Sequence, residues 1–241
     1  MNLIVDFGNT RVKVAVFRGT ALIEKKTFDS EEDLLSHLKE FVGITNCLIA
    51  SVTGSHTSLL ALLNTRFPSV LFSSTTATPL TNLYKSLHTL GSDRLAGAVG
   101  SFTLYPHQNV LTIDAGTCIK YNFVNAKNEY LGGAISPGLS MRLKAMHEHT
   151  HGLPVIDMDK DYNTLIGENT RESMLSGALL GAAAEVEGAI RGYTLLYPDL
   201  QVVLTGGDSD YLCKQLKNRF FTDPTILLSG LNAILNFNIE L

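Results

Sequence analysis

An α/β protein made of two similar halves is the fold class this sequence predicts. Three observations carry it: β-like runs alternate with helical ones, one hairpin pattern occurs twice, and the composition is that of a globular chain. Of 241 residues, 45% are hydrophobic and 17% are charged, which suits a sizeable core and excludes a disordered chain. The length fits one large domain or two of about 100 to 150 residues.

The first element pair is LIVDFGNTRVKVAVF, residues 3–17. Its opening run is too short and too apolar for a surface helix. Val12, Val14 and Val16 then alternate with Lys13, Ala15 and Phe17, the period-two pattern of a strand. The two runs predict a hairpin closed around Gly8 and Asn9. A Walker-type loop is excluded, because there a helix follows the glycines. SEEDLLSHLKEFV has a serine followed by acids and helical apolar spacing, an N-capped helix. CLIASV and SVLFSS read as buried strands with the helix HTSLLALLNTRF between them, an alternation that implies parallel pairing.

The segment NVLTIDAGTCIKYNFV, residues 109–124, repeats the first hairpin: Asp114 falls on Asp6, Gly116 on Gly8 and Thr117 on Asn9. The repeat divides the chain into halves 1–108 and 109–241, with no Pro-, Gly- or Ser-rich linker between them. Residues 167–196 predict a long helix with Gly177, Gly181, Gly188 and Gly192 on one face. Such a stripe costs on the order of 1 kcal/mol per residue against alanine, so it marks close approach of another element, internal or from a second subunit. Glu172, Glu185, Glu187 and Arg191 argue against a membrane helix. VVLTGGDSDYL forms a third glycine turn after an apolar strand, opening a helix at residue 209.

Charge and cysteine usage narrow the function classes. The net charge is −4, from 19 basic and 23 acidic residues, so there is no electrostatic footprint for nucleic acid. No basic amphipathic arm and no charge-free apolar stretch of membrane-spanning length occurs. The N-terminus lacks a signal-peptide pattern, and a soluble cytoplasmic protein is expected. Cys47, Cys118 and Cys213 are scattered, without a CxxC pair, which suggests neither a disulfide framework nor a zinc ribbon.

The chemistry lies in why a buried strand should end on a carboxylate. Backbone N–H groups in a tight turn cradle anions, and Asn9, Thr10 and Thr117 add side-chain donors. Two facing turns would grip a polyphosphate. A carboxylate about 4 Å from a phosphate is repelled by roughly 4 kcal/mol at an effective dielectric near 20, but a cation reverses the sign. Mg2+ takes hard oxygens from one or two carboxylates plus phosphate, so Asp6 and Asp114 make sense if metal and nucleotide arrive together. The plainer alternative is a hairpin with a side-chain-capped turn, against which the duplication counts. GSDRLAGAVGSF can be a helix start capped by Ser92 or Asp93, with Arg94 in a surface ion pair. Asn169 or Thr170 can cap the long helix, with Glu172 completing a capping box. HEHTH, residues 147–151, satisfies the zinc-protease pattern HExxH, and Glu172 lies downstream. The following GLP predicts a helix ending at His151, which leaves that motif a solvated helix end.

Together the three glycine turns resemble the actin, sugar kinase and Hsp70 superfamily, in which two ribonuclease-H-like halves clamp nucleotide in a cleft. DFGNT, LGSDR, DAGT, LGGAISPGL and IGENTRESMLSG, in that order and followed by the glycine-rich helix, resemble type III pantothenate kinase over nearly the whole chain. The resemblance implies a homodimeric enzyme that phosphorylates pantothenate with ATP, the first step toward coenzyme A, using Mg2+ and a monovalent cation, K+ or NH4+. It implies ATP contacts at Asp6, Phe7, Gly8, Asn9, Thr10, Arg11, Val12, Lys13 and Thr117, with Mg2+ held by Asp6 through water. Asp114 matches the monovalent-cation ligand. Tyr84, Gly91, Ser92, Asp93, Arg94 and Thr170 match substrate positions, and Asp93 the proton acceptor. A carboxylate accepting the attacking hydroxyl's proton suits phosphoryl transfer, and an arginine fork suits a substrate anion. Departures are Leu87 in place of proline, and Cys118 and Lys120 in place of the alanine and threonine that follow DxGT; these bear on loop geometry and cation affinity. Some relatives of this fold are non-enzymatic accessory proteins of regulation, an alternative that retention of Asp6, Asp93 and Asp114 opposes.

Overall fold

The computed structural model describes residues 1–8, 11–51, 54, 56–73, 75–217 and 220–240. In chain order the elements are β1 (Asn2–Phe7), β2 (Val12–Arg18), β3 (Ala21–Phe28), α1 (Glu31–His37), β4 (Asn46–Ser51), α2 (Thr57–Asn64), β5 (Ser69–Leu71), β6 (Thr81–Asn82) and α3 (Ser92–Leu104). There follow β7 (Val110–Ala115), β8 (Cys118–Val124), β9 (Glu129–Pro137), α4 (Leu139–Glu148), α5 (Thr170–Leu175), a π-helical turn (Ser176–Leu180) and α6 (Gly181–Leu196). The chain ends with β10 (Gln201–Thr205), α7 (Ser209–Gln215), β11 (Phe221–Thr222) and α8 (Ile226–Glu240). None of the described helices is long and apolar enough to cross a membrane.

Two compact units result. One comprises Met1–His107, Lys127–Leu131 and Thr225–Leu241; the other comprises Gln108–Ala126 and Gly132–Pro224. The last helix, counted with the second half on sequence grounds, therefore belongs to the first unit.

In the first unit the strand order is β3-β2-β1-β4-β5. β1 pairs antiparallel with β2 and parallel with β4, and β4 is parallel to β5. β1 is buried along its whole length, as a central strand covered on both faces must be. Leu3, Val5, Val14, Ile49, Leu34, Leu59 and Leu63 fill one core. Ser30 caps α1, its Oγ accepting from the Asp33 N–H at 3.1 Å. α8 crosses α3 so closely that a Cβ on Gly100 or Gly230 would strike the carbonyls of Ile226 and Ala96 respectively. The Asn2 amide fixes α8 to β1, donating to Asn232 Oδ1 at 2.9 Å and Asn236 Oδ1 at 2.7 Å.

In the second unit the strands run β11-β10-β7-β8-β9. β7 and β8 form an antiparallel hairpin, and β10 is parallel to both β7 and β11. Leu111, Ile113, Ile119, Leu175, Leu179, Val186 and Leu204 make its core. The predicted hairpins thus occur at corresponding places: Asp6 faces Lys13 across β1 and β2, and Asp114 faces Lys120 across β7 and β8.

Candidate active site

Asp6, next to last in β1, is only 4% exposed. The turn after it closes where the Gly8 N–H donates to the Arg11 carbonyl at 3.2 Å. Asn9 and Thr10, the expected donors, lie outside the described residues. Phe7 and Val12 are buried, so any contact they make with a ligand runs through backbone. Lys13 is exposed. Arg11 pairs with Asp29 at 3.7 Å with both side chains mostly in solvent, an arrangement of little energetic weight.

Behind this turn stands a support that the sequence did not reveal. The His56 ring stacks on Phe7, centroids 3.7 Å apart and 15° from parallel, and its Nδ1–H donates to Glu31 Oε2 at 2.6 Å. His56 adopts the left-handed conformation at φ 42°, and its buried Nε2 has no partner among the described residues. A non-glycine residue just before a helix was the available signal, but its conformation is not written in residue type.

The loop expected to bind substrate is fastened beside the same strand edge. Phe7 pairs with Ser51 at the end of β4, and the Ser51 carbonyl accepts from Ser92 Oγ at 3.1 Å. Gly91, not Ser92 or Asp93, is the N-cap of α3 and offers no side-chain cap. Asp93 Oδ1 instead accepts the Arg94 N–H at 2.9 Å. Arg94 is 5% exposed, so the surface ion pair is excluded. Its Nη1 donates to the Tyr84 hydroxyl at 3.4 Å, and the guanidinium lies 5.4 Å over the Tyr84 ring, a cation–π contact. Tyr84, Gly91, Ser92, Asp93, Arg94 and the Asp6 hairpin are thus assembled on one unit.

In the second unit three turns interlock. The Gly116 N–H donates to the Cys118 carbonyl at 3.0 Å, the Gly138 N–H to the Thr117 carbonyl at 3.1 Å, and the Asp208 N–H to the Ala115 carbonyl at 3.0 Å. Thr117 is exposed, its hydroxyl available to a ligand. Gly206, at φ 96°, lies against the Ala115 carbonyl, and a Cβ there would come within 2.7 Å of Asp114 Oδ1; only glycine fits both demands. Asp208 is held by Lys160 at 3.6 Å. Burial raises its carboxyl above the usual range, with the Lys160 charge opposing. Arg142 braces the turn before α4, donating to the Pro137 carbonyl at 2.9 Å and Ser136 Oγ at 2.8 Å and pairing with Glu185. Burial pushes the Glu185 carboxyl up, but bonds from Arg142, Ser136 and Tyr121 bring it below its ordinary value.

Asp114, expected to ligate a monovalent cation, has Lys120 Nζ 2.7 Å from its Oδ2. The donor set does not suit a free cation, since an ammonium already neutralises the carboxylate. Thr170 is exposed in the first turn of α5, and the cap is Asn169, whose Oδ1 accepts from the Glu172 N–H at 3.0 Å. The Glu172 carboxylate accepts from the Glu168 N–H, not from that of Asn169 as a capping box requires. α4 ends at Glu148, short of the predicted His151. His147 Nδ1–H donates to the Leu153 carbonyl at 2.7 Å, and the described residues hold no group of three His, Cys, Asp or Glu fit for a metal ion. The glycine stripe is not an internal contact: a Cβ on Gly177, Gly181, Gly188 or Gly192 meets no atom within 4 Å.

A strand ending on Asp-x-Gly in each unit, with an aspartate at the head of a helix beside the first, places the chain among proteins of the actin-like, sugar-kinase fold. Solved structures share that fold: the chain is similar to an ROK hexokinase from Thermus thermophilus at TM-score 0.54 and 13% identity, over 98% of this chain and 99% of that one. It is similar also to a putative Baf family transcriptional activator from Campylobacter jejuni at TM-score 0.65 and 18% identity, over 99% of this chain and all of that one. These likenesses establish fold alone. The sequence profile of type III pantothenate kinase matches residues 2–192. Type III pantothenate kinases of Christiangramia forsetii and Bacteroides fragilis are 42% and 39% identical over 241 residues, covering 99% of this chain and 99% and 98% of theirs. The chain belongs to the type III pantothenate kinase family.

Proposed function

We propose that this chain transfers the γ-phosphoryl group of ATP to the hydroxyl of pantothenate, giving 4′-phosphopantothenate and ADP. The hydroxyl oxygen bonds to the γ-phosphorus as the bridging bond to the β-phosphate breaks, and the hydroxyl proton passes to the Asp93 carboxylate. The observation that carries the reading is the chain of contacts from Phe7 through Ser51 to Ser92, which seats Asp93 beside the strand end bearing Asp6. Family membership supplies the substrate. Asp6 offers a hard oxygen that would hold Mg2+ through water, and the ion would neutralise charge on the phosphates. The turn at Gly8 and the exposed Lys13 and Thr117 serve the triphosphate. Arg94, preset by Tyr84 and buried, serves the pantothenate carboxylate, with Gly91 and Thr170 as further contacts. A kinase using ATP on a coenzyme precursor works in the cytoplasm. No monovalent cation is assigned to Asp114 here, because Lys120 already holds it.

The outward face of α6 is the proposed subunit contact. Its glycine stripe is open, Leu195 and Leu196 are 80% and 73% exposed, and a cavity of about 500 Å³ lies beside Gly188, Arg191, Leu195 and Phe220. A second copy would cover it. Gly177→Leu is expected to weaken the dimer by roughly tenfold or more in sedimentation equilibrium; an unchanged association constant would remove the stripe from the interface.

The function is tested by ADP release with ATP and Mg2+, offering pantothenate against a panel of small alcohols and sugars. Turnover with pantothenate alone is expected. Equal turnover with a sugar, or none with pantothenate, would overturn the assignment.

A further inference from the structure

Resting on that reading, we infer that Lys120 is the cation of the second hairpin: its tethered ammonium does at Asp114 what a dissolved K+ or NH4+ would otherwise do, and makes catalysis independent of monovalent ions. Lys120 sits directly across from Asp114 in the β7–β8 register, so the backbone itself delivers the two side chains to one face of the hairpin. Their contact is 2.7 Å, with the lysine side chain 18% and the aspartate 20% exposed. Enough water is excluded that the pair is screened less than a surface pair.

The surrounding oxygens point the same way. A K+ ion replaces its lost hydration with several carbonyl or carboxylate oxygens. Around Asp114 the nearby carbonyls already accept backbone hydrogen bonds: Ala115 from Asp208, Thr117 from Gly138 and Cys118 from Gly116. Asp114 Oδ1 faces Gly206, where even a Cβ would crowd it. What the turn has in place of an ion's ligand shell is one ammonium, chemically an NH4+ on a tether. An ionised Asp114 near a triphosphate would be repelled by it. Lys120 cancels that charge whatever salt surrounds the protein, so Lys120 is a positioning residue for the second hairpin.

The test compares wild type, Lys120→Thr and Lys120→Met in potassium, ammonium, sodium and tetramethylammonium chloride at one ionic strength. Initial rates with ATP, Mg2+ and pantothenate are read beside ATP dissociation constants from calorimetry, and circular dichroism melts check folding. Wild-type rate and ATP affinity should agree within about threefold across the four salts. Both variants should lose more than about threefold in rate and ATP affinity in tetramethylammonium, and in Lys120→Thr the loss should be recovered with K+ or NH4+. Lys120→Met, which brings no oxygen in place of the ammonium, should recover less. Three results overturn the inference: wild type stimulated beyond threefold by K+, a folded Lys120→Thr as active in tetramethylammonium as wild type, or a folded Lys120→Thr inactive in every salt. Should wild type fail to phosphorylate pantothenate in any salt, the functional reading falls, while the ATP-affinity arm still decides the role of Lys120.

Discussion

The two Asp-x-Gly hairpins place a lysine directly across from the aspartate, yet they are built to different ends. In the first, Asp6 is buried, Lys13 is exposed, and four residues, 8–11, separate Phe7 from its partner Val12. In the second, Lys120 closes on Asp114 at 2.7 Å, and three residues, 116–118, separate Ala115 from Ile119. The second turn is also wedged between Gly138 and Gly206. One loop residue and two neighbouring turns separate a hairpin whose lysine faces outward, free to meet a ligand, from one whose charge is already balanced. A duplicated motif therefore does not carry a duplicated role.

The sharpest way to break that contrast is to neutralise an acid beside each hairpin. Asp93→Asn, next to the first, should lower kcat by about 10² to 10⁴ while ATP binding stays within a few-fold, since general-base transfer contributes on that scale. Asp114→Asn should cost only about tenfold, because it removes one half of a charge-balanced pair and no proton acceptor. Single-turnover rates and ATP calorimetry on both variants decide it. Equal losses at the two positions would end the division of labour.

A second comparison concerns rigidity. Gly206→Ala forces a side chain into a left-handed conformation and against the Ala115 carbonyl, so a loss on the order of 3 kcal/mol is expected in urea unfolding. Gly116→Ala puts a Cβ at 3.9 Å from Asp114 Oδ1, ordinary contact, and should change stability by less than about 1 kcal/mol. If Gly116→Ala proved the worse, the turn itself and not its packing would be the rigid part.

How far the sequence reached follows from which forces are local. Both hairpins, the Ser30 cap of α1 and the parallel strands were legible, because period-two alternation, capping residues and strand-helix alternation act within about ten residues. The GSDR loop and the aspartates stood out as motifs. The return of α8 to the first unit was not: it rests on Asn2 meeting Asn232 and on Gly230 meeting Ala96, contacts between distant positions. The burial of Arg94 was not legible, because residue type does not announce that Tyr84 lies beneath it. The helix under HEHTH ends at Glu148, and His147 reaches on to the Leu153 carbonyl, a bond no pattern encodes. Lys120 was visible as a departure, but its meaning came only with the register that sets it opposite Asp114.

The smallest expected effect tests whether the second hairpin's support is strained electrostatically. Asp208 donates its N–H to the Ala115 carbonyl, and burial raises its carboxyl pKa while Lys160 opposes. A folded-state pKa above the unfolded one means the native protein binds that proton more tightly. Below the ordinary carboxylate value both states are protonated and nothing is lost; as pH rises through the folded value, stability falls and then stays lower. Asp208→Asn keeps the backbone bond and cannot ionise, and the Lys160 ammonium it leaves behind is mostly exposed to solvent. The variant should therefore be the more stable at neutral pH, by about 1 kcal/mol or 2 to 4 °C, with the gap closing in thermal melts near pH 3. A variant less stable than wild type at pH 7 would mean that Lys160 outweighs burial, and that this turn, like the Asp114 pair beside it, is held by its charges.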